Sequence, residues 1–180
     1  MSERSLPASA QIVYSAAQIQ QALDALALRI NQTLSGRQVV ALCVMNGGLI
    51  FSGQLLPRLH CETRIDYCHA TRYRNTTRGD TLQWLCRPQQ PLQGQTVLIL
   101  DDILDEGVTL QAIREYCAQQ GADKILCAVL LEKQHQRRID GIQADYAALQ
   151  VGDRYVFGFG MDYQGRYRNL DAIYALGDMS

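Results

Sequence analysis

Residues 97–110 read VLILDDILDEGVTL. The run Thr96–Leu100 suits a strand buried on both faces, and Asp101-Asp102 follow it. A short loop follows, after which Gly107-Val108-Thr109 opens a helix. Backbone N–H groups at a helix start bind anions, and glycine lets a ligand come close. The Thr109 hydroxyl adds one further donor. Yet Asp101, Asp102, Asp105 and Glu106 crowd the same loop, and carboxylates repel a phosphate unless they serve another part of its ligand. Ribose hydroxyls and a bound Mg²⁺ are suitable partners, because both seek oxygen acceptors. A ligand that combines a phosphate, a diol and a divalent cation accounts for the loop. The competing reading is that the acids cap a helix and favour its dipole.

Outward from this unit, buried strands alternate with helices. On the N-terminal side, Ser15–Leu34 carries Ile19, Leu23, Leu26, Ile30 and Leu34 at helical spacing. Ser15 with Gln18 forms a capping box, and Gly36 stands where a terminator belongs. Val39–Met45 is a second buried strand bounded by Gly47-Gly48, and Leu49–Leu59 a helix broken near Pro57. Two strands, Arg64–Thr71 and Thr81–Arg87, flank the polar segment RYRNTTRGD. On the C-terminal side come a helix over Val108–Gln120, a strand over Ile125–Leu131 and the charged loop LEKQHQRRIDG. Shorter strands cover Ala144–Leu149 and Tyr155–Phe159, and Met161–Leu176 is irregular with a short strand near its end. This order predicts an α/β fold, a single domain over 1–180 with a twisted parallel sheet covered by helices on both faces. Ligands bind such sheets beyond the carboxyl ends of the strands.

Composition narrows the function classes. The chain has 180 residues, 47% of them hydrophobic and 19% charged, as in a compact globular protein. Seventeen Lys and Arg against 18 Asp and Glu leave a net charge of −1, which provides no general attraction to nucleic acid or to a membrane surface. The longest apolar runs are too short to span a bilayer, and MSERSLPASA lacks a signal-like apolar stretch, so a cytoplasmic location is expected. Six cysteines without CxxC spacing read as reduced structural thiols. His60, His69 and His135 form no HExxH pair, GxxxxGK[ST] is absent, and Gly158-Phe159-Gly160 lacks the third glycine of a dinucleotide fingerprint.

VLILDDILDEGVTL resembles the phosphoribosyl-pyrophosphate (PRPP) motif of type I phosphoribosyltransferases. From about Val39 to Leu176 the chain is similar to the hypoxanthine-guanine branch of that family, through MNGG at 45–48, Lys133 and RYVFGFGMDYQGRYRNL at 154–170. The resemblance implies a core over about residues 37–177, a small hood and a mobile lid loop. It implies purine salvage: transfer of the phosphoribosyl group of PRPP to hypoxanthine or guanine, with Mg²⁺ as cofactor. It also implies a homodimer or homotetramer.

Residue roles follow from the same resemblance. Asp101 and Asp102 match the acids that contact the ribose hydroxyls and, with Asp162, the metal. Asp105 matches the general base. Glu106, Gly107, Val108 and Thr109 match the loop around the ribose phosphate. Asn46, Gly47, Gly48, Tyr73 and Arg168 complete the PRPP site. Lys133, Tyr155, Val156 and Asp162 match the purine pocket: Lys133 reads the 6-oxo group, Tyr155 stacks on the base and Val156 offers backbone contacts. On their own residues, Lys133 is an exposed loop lysine, Tyr155 a core aromatic, Asp162 a turn residue and Arg168 a surface charge.

Two positions depart from the family pattern. Asn46 stands where a lysine usually precedes the two glycines, and Arg72 where the lid usually has a serine before its tyrosine. Arg72 or Arg74 is expected to supply the missing positive charge. Two rival functions share the acidic motif. A phosphoribosyltransferase for another base is one, although Lys133 would face the 6-amino donor of adenine unfavourably. The other is a PRPP-binding regulator of the pyrimidine-attenuator type, which would not need the base Asp105.

Overall fold

Val39–Met45 is apolar at every position because both faces of its strand are buried. The computed structural model describes residues 6–73 and 81–177, with backbone alone at 72, 73, 81 and 82. In it Val39 and Ala41 join one hydrophobic cluster, while Val40, Leu42 and Val44 join the cluster on the opposite face. The elements are β1 (Ala10–Tyr14), α1 (Ala16–Leu34), β2 (Gln38–Met45), α2 (Gly48–Leu55), β3 (Glu62–Tyr73) and β4 (Thr81–Cys86). They continue with β5 (Thr96–Leu104), α3 (Val108–Gln119), β6 (Lys124–Gln134), β7 (Tyr146–Gly152), β8 (Val156–Phe157) and β9 (Ile173–Leu176).

The expected capping box starts α1. The Gln18 backbone N–H donates to Ser15 Oγ at 3.4 Å, and the Ser15 N–H donates to Gln18 Oε1 at 2.9 Å. Past its C-terminus Gly36 adopts φ +70°, a conformation costly for residues with a Cβ. Ile19, Leu23, Leu26, Ile30 and Leu34 bury the inner stripe of α1 on the sheet face that also receives Phe51 and Leu55 of α2. Leu110, Ile113 and Cys117 of α3 cover the other face. The break expected near Pro57 is a 3₁₀ turn over Leu56–Arg58.

The main sheet runs β4-β3-β2-β5-β6-β7. Its strands are parallel from β3 to β7, but β4 is antiparallel to β3, so the sheet is mixed and not all-parallel. A parallel neighbour needs a crossover of roughly a dozen residues or more, and the segment between β3 and β4 is too short for one. β5 also outlasts its apolar run. Asp101 pairs with Val129 and Leu104 with Glu132, so backbone pairing carries the strand through the two acids to Leu104. β6 likewise extends to Gln134, which places Lys133 on a strand and not in the charged loop. The Tyr155–Phe159 strand shrinks to β8, because Gly158 and Phe159 turn to positive φ. The Ala144–Leu149 strand shifts to β7, where it follows its register with β6.

β1, not foreseen from the sequence, pairs antiparallel with β9, which also pairs with β8, making a second sheet β1-β9-β8. The chain progresses in opposite directions from β2 and β5: β3 lies outside β2, and β6 and β7 lie outside β5. The crevice for a ligand in such a sheet lies where the winding reverses. That point is the pair of carboxyl ends of β2 and β5.

Candidate active site

Three segments meet at this crevice. The loop after β2 brings Asn46, Gly47 and Gly48 beside the end of β5. A Cβ on Gly47 would run into the Asp102 carboxylate, and one on Gly48 would lie 2.7 Å from the Leu100 carbonyl oxygen. Gly160, with φ +106°, packs against the Gly47 carbonyl in the same way. Between these segments lies a cleft of about 310 Å³, lined by Asn46, Gly47, Asp101, Asp102, Asp105, Gly107, Thr109 and Arg168 among others. Beside it a pocket of about 180 Å³ is lined by Lys133, Tyr155, Val156, Met161 and Asp162, and it shares Asp102, Ile103 and Asp105 with the cleft. Asn46, Gly47, Asp101, Asp102, Gly107, Thr109 and Arg168 of the expected PRPP set, and all four expected purine residues, therefore line adjoining spaces with a common wall.

Glu106, Val108 and Gly48 flank the cleft without lining it. Gly107 takes φ +88° as the cap of α3, and a Cβ there would strike the Ile142 side chain. Residues 74–80 lie outside the described residues, as do the side chains of Arg72 and Tyr73, so the charge expected from Arg72 or Arg74 has no structural account. Among the described residues lining the cleft, Arg168 is the one Lys or Arg. Its guanidinium donates to the Gly160 carbonyl at 2.7 Å and pairs with Asp162 Oδ1 at 2.6 Å. The other Asp162 oxygen accepts the Gly165 N–H at 2.8 Å.

Asp101 and Asp102 are each 9% exposed. The Asp102 N–H donates to Asp101 Oδ1 at 2.9 Å. Burial pushes both carboxyls above the ordinary carboxylate range, and for Asp101 the neighbouring Asp102 charge pushes further in the same direction. For Asp102 the Arg168 charge opposes the rise. Two adjacent buried carboxylates are short of positive charge. Among the described residues no three His, Cys, Asp or Glu side chains gather into a metal cage. The pair has the oxygen chemistry to hold a hard divalent cation, which would need further oxygen ligands from outside the described side chains.

Asp105 is placed differently. Lys133 Nζ donates to its Oδ2 at 2.8 Å, and His135 Nε2 lies 2.6 Å from its Oδ1. Burial raises the carboxyl, but the hydrogen bonds from Lys133 and His135 outweigh it and hold Asp105 below its ordinary range. The Lys133 side chain is 11% exposed, far from a solvated loop lysine. Across the pocket, Tyr155 is half exposed and its hydroxyl donates to the Asp162 carbonyl at 3.1 Å. Val156 is buried on β8.

His69 and Thr71, at the carboxyl end of β3, also line the cleft, and sequence reading passed over both. Placing β3 parallel beside β2 would have pointed to them, since Met45 pairs with His69. His135 was passed over too, and no spacing signal in the sequence marks it.

The chain matches the phosphoribosyl transferase domain family over residues 9–164. It is 30% identical over 145 residues to the hypoxanthine-guanine phosphoribosyltransferase of Staphylococcus epidermidis, covering 80% of each chain. The crystal structure of a hypoxanthine-guanine phosphoribosyltransferase from Bacillus anthracis is similar with a TM-score of 0.84 at 26% identity, over 93% of this chain and 99% of that one. A hypoxanthine phosphoribosyltransferase from Staphylococcus aureus gives 0.87 at 27% identity, over 93% and 91%. With the acid loop, the glycine loop and the second pocket gathered at the reversal of the sheet, the chain belongs to the phosphoribosyl transferase domain family.

Proposed function

We propose that this protein salvages purines, transferring the phosphoribosyl group of PRPP to hypoxanthine or guanine and releasing pyrophosphate. The observation that carries this reading is the shared wall at Asp105, where an anion-and-diol cleft opens into a pocket with an ammonium, a tyrosine and a strand edge. In the cleft, Asp101 and Asp102 accept from the ribose hydroxyls, and the start of α3 with Thr109 donates to the ribose phosphate. Gly47 and Arg168 face the pyrophosphate. In the pocket, Lys133 donates to the 6-oxo group and Tyr155 stacks on the base.

Cleavage at the anomeric carbon leaves positive charge on the ribose ring and negative charge on pyrophosphate. Fixed donors already aimed at that charge lower the barrier. Mg²⁺ held by Asp101 and Asp102 would supply further positive charge to the pyrophosphate oxygens. Asp162 anchors Arg168 in this arrangement. Asp105 takes the ring proton of the purine as the attacking nitrogen gains electron density.

A cytoplasmic setting belongs to the same proposal and agrees with six free cysteines. Assembly as a dimer or tetramer agrees with the exposed apolar side chains Ile65, Tyr67 and Leu85 on β3 and β4. The test is direct. Purified protein with Mg²⁺ and PRPP is offered hypoxanthine, guanine, xanthine, adenine and uracil separately, and pyrophosphate release is followed. Turnover with hypoxanthine or guanine is expected; turnover with adenine or uracil alone overturns the purine reading.

A further inference from the structure

Both oxygens of Asp105 are occupied in the structure, and by groups of different kinds. Oδ2 is held by Lys133, whose long side chain also lines the purine pocket. Oδ1 is held by His135, whose side chain is 3% exposed. The backbone N–H of Arg137 donates to His135 Nδ1 at 3.0 Å. Nδ1 is thus an acceptor and carries no proton, so Nε2 carries it and donates to Oδ1. The loop that holds the ring is tied down on both sides. Arg137 makes a two-pronged ion pair with Asp153, at 2.5 and 2.7 Å. Arg138 reaches back to Glu132 Oε1 and the Lys133 carbonyl, each at 2.6 Å.

We infer that His135 is a positioning residue that keeps Oδ1 of Asp105 occupied throughout the reaction, so that Oδ2, once Lys133 turns to the 6-oxo group, is the atom that accepts the purine proton. The inference rests on the proposed transfer to a 6-oxopurine. The proton balance is simple. The purine N–H bond breaks, its proton goes to Oδ2, and its electron pair enters the ring. The attacking ring nitrogen bonds to C1′ as the bond from C1′ to pyrophosphate breaks, and the carboxyl then gives its proton to water. His135 serves through Nε2 alone, because the Arg137 backbone N–H occupies Nδ1. A ring that donates only through Nε2 also fixes the carboxylate plane, which otherwise could rotate when Lys133 departs.

The test separates this role from general packing. His135→Phe keeps the ring volume and removes the donor; His135→Gln keeps a donor. His135→Phe is expected to lower kcat about 10-fold to 100-fold, less than loss of the base itself, with KM for PRPP unchanged. His135→Gln should recover most of that loss. A kcat for His135→Phe within twofold of an active wild type overturns the inference and leaves the proposed function standing. Equal losses in both variants also overturn it, since packing and not the donor is then what matters. A wild type inactive on every 6-oxopurine overturns the proposed function, and this inference with it. Long-range ¹⁵N spectra of the wild type provide a check independent of variant folding: His135 must be protonated at Nε2 and bare at Nδ1, and the opposite tautomer overturns the inference.

Discussion

Asp101-Asp102 and Asp105 stand close together in sequence and face the same cleft, yet they solve opposite electrostatic problems. The first two sit inside β5, buried beside each other, with Arg168 the cationic side chain that relieves Asp102. Burial pushes both carboxyls up, and for Asp101 the neighbouring Asp102 charge adds to the rise. Asp105 lies just past the end of β5; the end of β6 brings it Lys133, and the residue just beyond that strand brings it His135. Its carboxyl is held down and its charge is already matched. The lesson is that a strand interior can store unmet charge for a ligand, whereas a strand end next to a neighbouring strand can be supplied by the protein itself.

The largest change should come from breaking the self-supplied side. Asp105→Asn keeps the shape and removes the base, and kcat should fall about 10²-fold to 10⁴-fold with KM for PRPP little changed. Steady-state kinetics check this, and near-normal turnover would contradict the base assignment. Next is Gly160→Ala, which places a methyl group at positive φ against the Gly47 carbonyl. Strain of roughly 1–3 kcal/mol is expected, read as a lower Tm and weaker PRPP binding.

Asp101→Asn sharpens the other side of the comparison. With a chelator present, this variant should unfold at a higher temperature than wild type at pH 7, by about 2–4 °C for each kcal/mol of relieved repulsion. The sign follows from the raised carboxyl: its ionisation costs stability as pH rises through the folded value. Below the unfolded value, about 3.9, both states are protonated and the advantage of Asn disappears. Thermal unfolding at pH 7 and at pH 3.5 decides it, and PRPP binding should weaken in the same variant. The smallest effect is Ser15→Ala. It removes the cap of α1 at a residue that lines neither the cleft nor the adjoining pocket, costing about 1 kcal/mol, with kinetics unchanged.

The contrast also explains what could be read from sequence. The continuous apolar runs of β2, β5 and β6 and the stripe of α1 declared themselves, because burial on both faces or along one stripe leaves a local pattern. The acid loop was legible because glycine, threonine and carboxylates have distinct chemistry at a helix start. The extension of β5 through Asp101-Asp102 was not, since its cause is pairing with Val129, Leu131 and Glu132 on another strand. The same register brings His135 to Asp105, and no spacing along the chain encodes it. β1 escaped for a related reason: Ile12 is exposed, and its strand exists through pairing with β9.

That pairing has a consequence for how the protein is made. β1 leaves the ribosome long before β9, and β8, which carries Val156 into the pocket beside Lys133, is also held by β9. The ordering entropy of so distant a contact must be met before the contact rewards it. The wall of that pocket is therefore completed only when synthesis reaches Ile173–Leu176, and a nascent chain stalled before that point would hold the acid loop without the finished pocket beside it.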